Sequence, residues 1–194
     1  MFKSIINLGA GMQGHHLILG ELVDFITGET IRDTHDERYR QNLARMLVSQ
    51  KGFMKKEIKP RRELRVSAGE KSAIIKIDFE VNVSGKIGMI IKYGPGSLVT
   101  RQRPALALSR LVAPYQVPIV IVTNGKDADI LEGKTGEVVA QSLHSIPSKK
   151  DLIKKVTTMN LNRISAKQAE IESRIVYVYE VDGACPCDDT VCRL

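Results

Sequence analysis

The chain has 194 residues, enough for one hydrophobic core, so one domain with extensions is the expected organisation. Hydrophobic residues make up 43% and charged residues 26%, as in ordinary globular proteins. The chain lacks a run of about 18 apolar residues, which argues against a membrane-spanning helix. The N-terminal MFKSIINLGAGMQG has no sustained apolar stretch of the secretory kind, and a cytoplasmic location is expected. The formal net charge is +7, and residues 51–71 concentrate Lys51, Lys55, Lys56, Lys59, Arg61, Arg62, Arg65 and Lys71 against Glu57, Glu63 and Glu70. Lysines and arginines that neutralise phosphates release counterions, so this balance points to a polyanionic partner.

In chain order, Gly9, Gly11 and Gly14 form a G-x-G-x-x-G pattern after a short apolar run. A dinucleotide-binding enzyme would need a second buried strand about 20 residues on, and none follows, so this remains the lesser alternative. Residues 16–26, apolar at Leu17, Leu19, Leu22, Val23 and Ile26, predict a short helix or an irregular packing arm. Thr34 or Asp36 then caps a helix to about Gln50, with Tyr39, Leu43, Met46 and Leu47 as its core stripe and Gly52 at its end. Residues 53–66 are basic and extended, and Pro60 argues against a central strand.

Residues 73–93 predict a β-hairpin. Ala73, Ile75, Ile77, Phe79, Val81 and Val83 alternate with Lys76, Asp78, Glu80 and Asn82, the period-two pattern of a half-buried strand. The return strand places Ile90 and Lys92 opposite the polar set. Residues 98–112 predict a helix despite Pro104, and VPIVIVT at 117–123 predicts a buried parallel strand. Short strands follow around 128–131 and 137–139. Ser148 caps a further helix with Asp151 three residues on, and Ile164, Ile171, Ile175 and Val178 keep helical spacing. The β propensity of VYVY competes there. Cys185, Cys187 and Cys192 do not match a standard zinc spacing, and the tail is read as carrying reduced thiols. A hairpin, a crossover helix and a parallel strand together predict an α/β fold with a mixed β-sheet flanked by helices.

The segments DERYRQNLARML, IKIDFEV, IGMIIKYGPGS and VPIVIVTNG, in that order, resemble the N-terminal family of type I restriction enzyme R subunits. The resemblance covers roughly Asp33 to Leu152 and implies a restriction-endonuclease-like PD-(D/E)xK core. Residues 1–30 would then be an arm packing on the core, 31–155 the core, and 156–194 a C-terminal helix with the cysteine-containing tail. Glu37, Arg38, Arg40 and Gln41 match the family's E-R-x-R-Q helix motif. Asp78 falls on the metal-binding aspartate, and Lys92 on the lysine of E-x-K before a Pro-Gly turn. The glutamate of E-x-K falls on Ile90, which cannot bind a metal.

The implied activity is phosphodiester hydrolysis of DNA with Mg²⁺ or Mn²⁺, impaired by the loss at position 90. A three-residue loop at Ser84-Gly85-Lys86 would pair Val83 with Ile87, Asp78 with Lys92 and Glu80 with Ile90, bringing Glu80 to about 5 Å from the missing acid. A two-residue loop would instead pair Asp78 with Ile91 and turn Lys92 away. On the first register the candidate catalytic residues are Asp78, Lys92, Glu80 and Glu37, with Asp78 and Glu80 as metal ligands. Lys55, Lys56, Arg61, Arg62, Arg101 and Arg103 are the candidate DNA contacts. The alternative is a non-catalytic nucleic-acid-binding or scaffold protein on the same fold, and either reading leaves homo-oligomer formation open.

Overall fold

The apolar runs after residue 57 assemble into one seven-stranded mixed sheet, covered on both faces by helices. The computed structural model describes residues 18–183 and 191–193; Gly9, Gly11, Gly14, Cys185 and Cys187 lie outside them. The first two strands, β1 (Ile18–Val23) and β2 (Thr30–Thr34), pair with each other and, among the described residues, with no other strand. Helix α1 (His35–Ser49) leads to β3 (Ile58–Ala68), β4 (Lys71–Val83) and β5 (Lys86–Tyr93). Helix α2 (Val99–Leu111) crosses to β6 (Ile119–Thr123), followed by β7 (Ala128–Glu132) and β8 (Val138–Gln141). The chain closes with α3 (Lys149–Thr158), α4 (Ala166–Val176), a π-helical stretch over Tyr177–Asp182, and β9 (Val191–Arg193).

The sheet runs β3-β4-β5-β6-β7-β8, with β9 added along β4. Among the described residues only β5 and β6 are parallel, and the α2 crossover between them allows it. On one face, Phe79, Met89, Ile91 and Ile121 pack against Leu43 and Leu47 of α1 and Leu152 of α3. On the other, Ile90, Val120 and Val122 pack against Ala105 and Leu108 of α2 and Val176 at the end of α4. Pro60 sits in β3, an edge strand, where a missing N–H leaves no central ladder broken.

Local sequence explains the element ends. Thr34 Oγ1 accepts the Glu37 N–H at 3.1 Å, and Asp36 and Glu37 complement the positive end of α1. Ser148 caps α3 in the same way. Residues 18–23 are a strand, not the helix or irregular arm expected over 16–26. Asp24 Oδ1 accepts the N–H groups of Ile26 and Thr27 at 2.8 Å, and this turn, with Gly28 at φ 78°, folds the chain back onto β2. VYVY stays helical, widened to π pitch.

The hairpin turn also differs from the expected three-residue loop. Ser84 (φ 51°) and Gly85 (φ 73°) form a two-residue turn with both central residues left-handed, and Val83 pairs with Lys86. A bulge then intervenes: Asn82 pairs with Ile87 but Val81 pairs with Met89, leaving Gly88 as the extra residue. The bulge restores the register that the longer loop was expected to set, so Glu80 faces Ile90 and Phe79 faces Ile91. Glycine fits closely at the bulge because α3 lies against it: a Cβ there would stand 3.0 Å from both Leu152 Cγ and Val156 Cγ2. Gly88→Val should therefore cost about 1–3 kcal/mol by overpacking, read from urea denaturation. An unchanged midpoint would mean that α3 does not fix the bulge.

Candidate functional site

The site lies where β4 loses its neighbour. Over Phe79–Val83, β4 is laddered to β5, and over Ala73–Ile75 to β9. Between these stretches, Ile77 and Asp78 have no ladder partner on that edge among the described residues. Side chains fill the gap. The Lys92 ammonium donates to the Lys76 carbonyl at 3.0 Å, and the Tyr93 N–H donates to Asp78 Oδ2 at 2.8 Å. On the β3 side, Arg61 opposite the gap has φ 50°, a costly conformation for a non-glycine residue. The strand switches faces here: Ala73, Ile75 and Ile77 join the α2–α4 cluster, whereas Phe79, Val81 and Val83 join the α1–α3 cluster.

Helix α1 covers the gap with a polar stripe that continues its apolar one. Arg40 Nε donates to Asp78 Oδ1 at 2.6 Å, and its guanidinium lies 5.0 Å from the Tyr93 ring centre. Tyr93 also stacks on Tyr39 and donates its hydroxyl to Asp36 at 2.9 Å. Burial and the Asp36 carboxylate raise the Tyr93 phenol well above its ordinary range, so it stays a proton donor. Glu37 accepts from Gln41 at 2.8 Å and from Arg61 at 3.3 Å. Arg61 also reaches Asp24 at 2.6 Å, which clamps the turn after β1 onto the core and accounts for the strained backbone. Burial alone would raise Asp24, but the Thr27 N–H, Arg61 and Gln41 outweigh it and hold the carboxyl below its usual value.

Lys92 is 7% exposed. Its ammonium meets Glu180 Oε2 at 3.0 Å, from the π-helical stretch. Burial disfavours the charged ammonium, but Glu180 and Asp78 together hold its pKa above the ordinary lysine value. Glu80 faces Ile90 as the hairpin register requires, but its own partners are Asn82, donating at 2.9 Å, and Arg62, 3.2 Å away without hydrogen-bond alignment. The expected cluster thus comes in two parts. Asp78, Lys92 and Glu37 gather around the gap, whereas Glu80 is engaged with the edge strand. Ile90 has no exposed surface and packs with Ile77, Val120 and Val122.

These residues do not fit a divalent cation as they stand. Both Asp78 oxygens already accept hydrogen bonds, one of them from a guanidinium. Among the described residues, no group of three or more histidine, cysteine, aspartate or glutamate side chains is arranged to hold a metal.

The candidate DNA contacts divide as well. Lys55 and Lys56 are exposed, with Lys55 4.0 Å from the Phe25 ring centre. Arg61 and Arg62 are turned to internal carboxylates. Arg101 donates to the Pro95 carbonyl at 2.8 Å and lies over Gly94, where a Cβ would collide with its guanidinium. Arg103 and Arg110 both bond the fully buried Glu172 at 2.6 Å and tie α4 to α2. Glu172 is held below the usual carboxylate value: burial opposes this, but Arg103, Arg110 and Gln168 prevail.

A family model described as the type I restriction enzyme R protein N terminus matches residues 35–147, more than half of the chain. The chain belongs to this family. The matched stretch begins at the first residue of α1 and ends beyond β8, so it takes in Glu37, Arg40, Asp78, Ile90 and Lys92. Neither the curated proteins nor the solved structures give a match. Membership suggests a nuclease-related role, and Asp78 and Lys92 both lie within the matched stretch. Glu180, which contacts the lysine, lies outside the matched stretch. Asp24 also lies outside it, and the D-F-I-T-G sequence signalled only its turn.

Two outcomes follow from this charge network. Arg40→Ala leaves the buried Asp78 carboxylate without its cation and should destabilise the fold by about 3–5 kcal/mol in a denaturant titration. Asp24 and Glu172 have folded values below their ordinary 3.8 and 4.5, so their stabilisation is complete above those values and is lost as pH falls through the lowered ones. Between about pH 5 and about pH 3, Glu172→Gln should lose stability less steeply than the unmodified chain. Parallel curves would show that Glu172 has no such linkage.

Proposed function

We propose that this R-subunit family member is a nuclease-related DNA-binding domain on a PD-(D/E)xK-type core whose cutting centre is closed. The observation that carries this reading is Ile90: an apolar, fully buried side chain stands where the family pattern has its second acid. With Asp78 bound to Arg40 and Lys92 to Glu180, the charges that hydrolysis would use are already neutralised inside the protein. DNA contact then falls to the cations that point outward from the edge of the sheet: Lys55, Lys56, Lys59 and Arg65. These would grip phosphates without reading bases.

A second reading has a specific observation in its favour. Glu80 faces Ile90 across the hairpin. If Glu80 left Arg62, and Asp78 left Arg40, the two carboxylates would be the ligands for Mg²⁺ or Mn²⁺. Lys92 would then serve the attacking water, with Glu37 as the supporting acid.

Duplex binding by fluorescence anisotropy and plasmid cleavage with Mg²⁺ or Mn²⁺ separate the two. Three neutralised phosphates give a log–log salt slope of about −3, or roughly a 50-fold loss of affinity for a fourfold rise in salt. Binding of this kind without cleavage is the expected result, and Lys55→Ala with Lys56→Ala should flatten the slope by about 2. Ile90→Glu should introduce metal-dependent cleavage that Lys92→Met removes. Cleavage by the unmodified chain, abolished by Asp78→Ala or Glu80→Ala, would overturn the closed-centre reading in favour of the second. Absence of any duplex binding would sink both.

A further inference from the structure

The contact between Lys92 and Glu180 joins the most buried cation of the site to a carboxylate from outside the family's matched stretch. Glu180 reaches it because α4 does not simply end. The chain continues as six residues of π-helix, a pitch that is rare and locally less favourable than α. Tyr177 and Val181 anchor this stretch in the apolar core, while Val178 and Tyr179 are more than half exposed. The segment is clasped from beyond as well: Arg193 on β9 donates to the Val181 carbonyl at 2.6 Å, and β9 pairs with β4 just past the gap. The backbone is therefore fixed, and the Glu180 side chain is left at the boundary with solvent. Its side chain is 16% exposed and that of Lys92 is 8%, so the carboxylate is the outer member of the pair.

A lysine ammonium has three donors. One Lys92 bond goes to the Lys76 carbonyl and one to Glu180. The first anchors the side chain in the sheet. The second goes to an oxyanion, the Glu180 carboxylate, which is the more exposed member of the pair. Carboxylate and phosphodiester oxygens make the same charge-assisted bond to an ammonium.

We propose that Lys92 and Glu180 form a latched anion site, in which the Glu180 carboxylate holds the place that a phosphodiester oxygen takes when a nucleic acid binds. Phosphate and Glu180 compete for one ammonium. Release needs only a rotation of the Glu180 side chain, since Tyr177 and Val181 keep the segment seated. The ligand class rests on the DNA-binding reading above, but the latch can be tested separately, with inorganic phosphate as the probe.

The full chain, Glu180→Gln and Glu180→Gln combined with Lys92→Met are compared in two measurements. In thermal unfolding, a tenfold excess of inorganic phosphate over its dissociation constant should raise the Tm of Glu180→Gln by roughly 3 °C. It should leave the unmodified chain and the double variant unmoved. In duplex binding, Glu180→Gln should bind about tenfold more tightly, the worth of one charge-assisted hydrogen bond, and Lys92→Met should cancel the gain. Glu170→Gln, at an exposed α4 position, makes the same charge change and should give no such gain. If phosphate does not stabilise Glu180→Gln, the latch is overturned and Glu180 is a charge partner alone. Magnesium-dependent cleavage that Glu180→Gln abolishes would overturn it too, because the carboxylate would then work in catalysis. Phosphate stabilisation without duplex binding by any variant would support the latch and reject the DNA-binding reading.

Discussion

The change of β4 from pairing with β5 to pairing with β9, around Ile77 and Asp78, is the constraint on which the site depends. A buried strand must satisfy its backbone N–H and carbonyl groups, and among the described residues no strand pairs with Ile77 and Asp78 on one edge. Side chains take over the bonding. Lys92 supplies the donor for the Lys76 carbonyl and Asp78 supplies the acceptor for the Tyr93 N–H. Lys92 and Asp78 thus each bond a backbone group where β4 changes partner. This explains how a lysine and an aspartate remain buried in the middle of a sheet. It also explains why Arg40 and Glu180 accompany them, since buried charges persist when they are paired and hydrogen-bonded.

Charge pairing spreads outward from the gap and binds the accessory segments to the sheet. Arg61 joins the turn after β1 to the start of α1 through Asp24 and Glu37. Glu172 joins α4 to α2 through Arg103 and Arg110. Glu180 brings the C-terminal stretch onto Lys92. Some of the positive charge that looked available for nucleic acid in the composition, as at Arg40, Arg61, Arg62, Arg103 and Arg110, is therefore spent on internal carboxylates, whereas Lys55, Lys56, Lys59 and Arg65 are exposed. A net charge of +7 bounds the partner class but says nothing about which cations face it.

Strong local signals were legible in the chain itself. The Thr34 and Ser148 caps, the stripe of Leu43 and Leu47, the apolar run at 119–123 and the alternation in β4 all depend on neighbours a few residues away, and each appears in the fold. The family segments were legible for the same reason, because their order along the chain is itself the pattern. The hairpin turn was misjudged because a two-residue turn with a later bulge gives the same pairing at Glu80 and Ile90 as a three-residue loop. The left-handed Ser84 and Gly85, the pairing of Val83 with Lys86 and the close packing of Leu152 and Val156 on Gly88 distinguish the two. The strand at 18–23 was misjudged because its apolar residues fit either period, and the Asp24 turn and β2 decide between them.

The sequence by itself determined the chemical inventory: an aspartate and a lysine in a nuclease-type order, an isoleucine in place of an acid, and an excess of cations. These are properties of residue type and spacing, and folding cannot change them. The tertiary structure decided the pairings: Arg40 with Asp78, Arg62 beside Glu80, and Glu180 with Lys92, at separations of 38, 18 and 88 residues along the chain. Ion pairs between distant segments leave no periodic trace in a sequence, because they depend on where the sheet and helices bring the backbone. For this chain they set which groups Asp78, Glu80 and Lys92 contact in the fold.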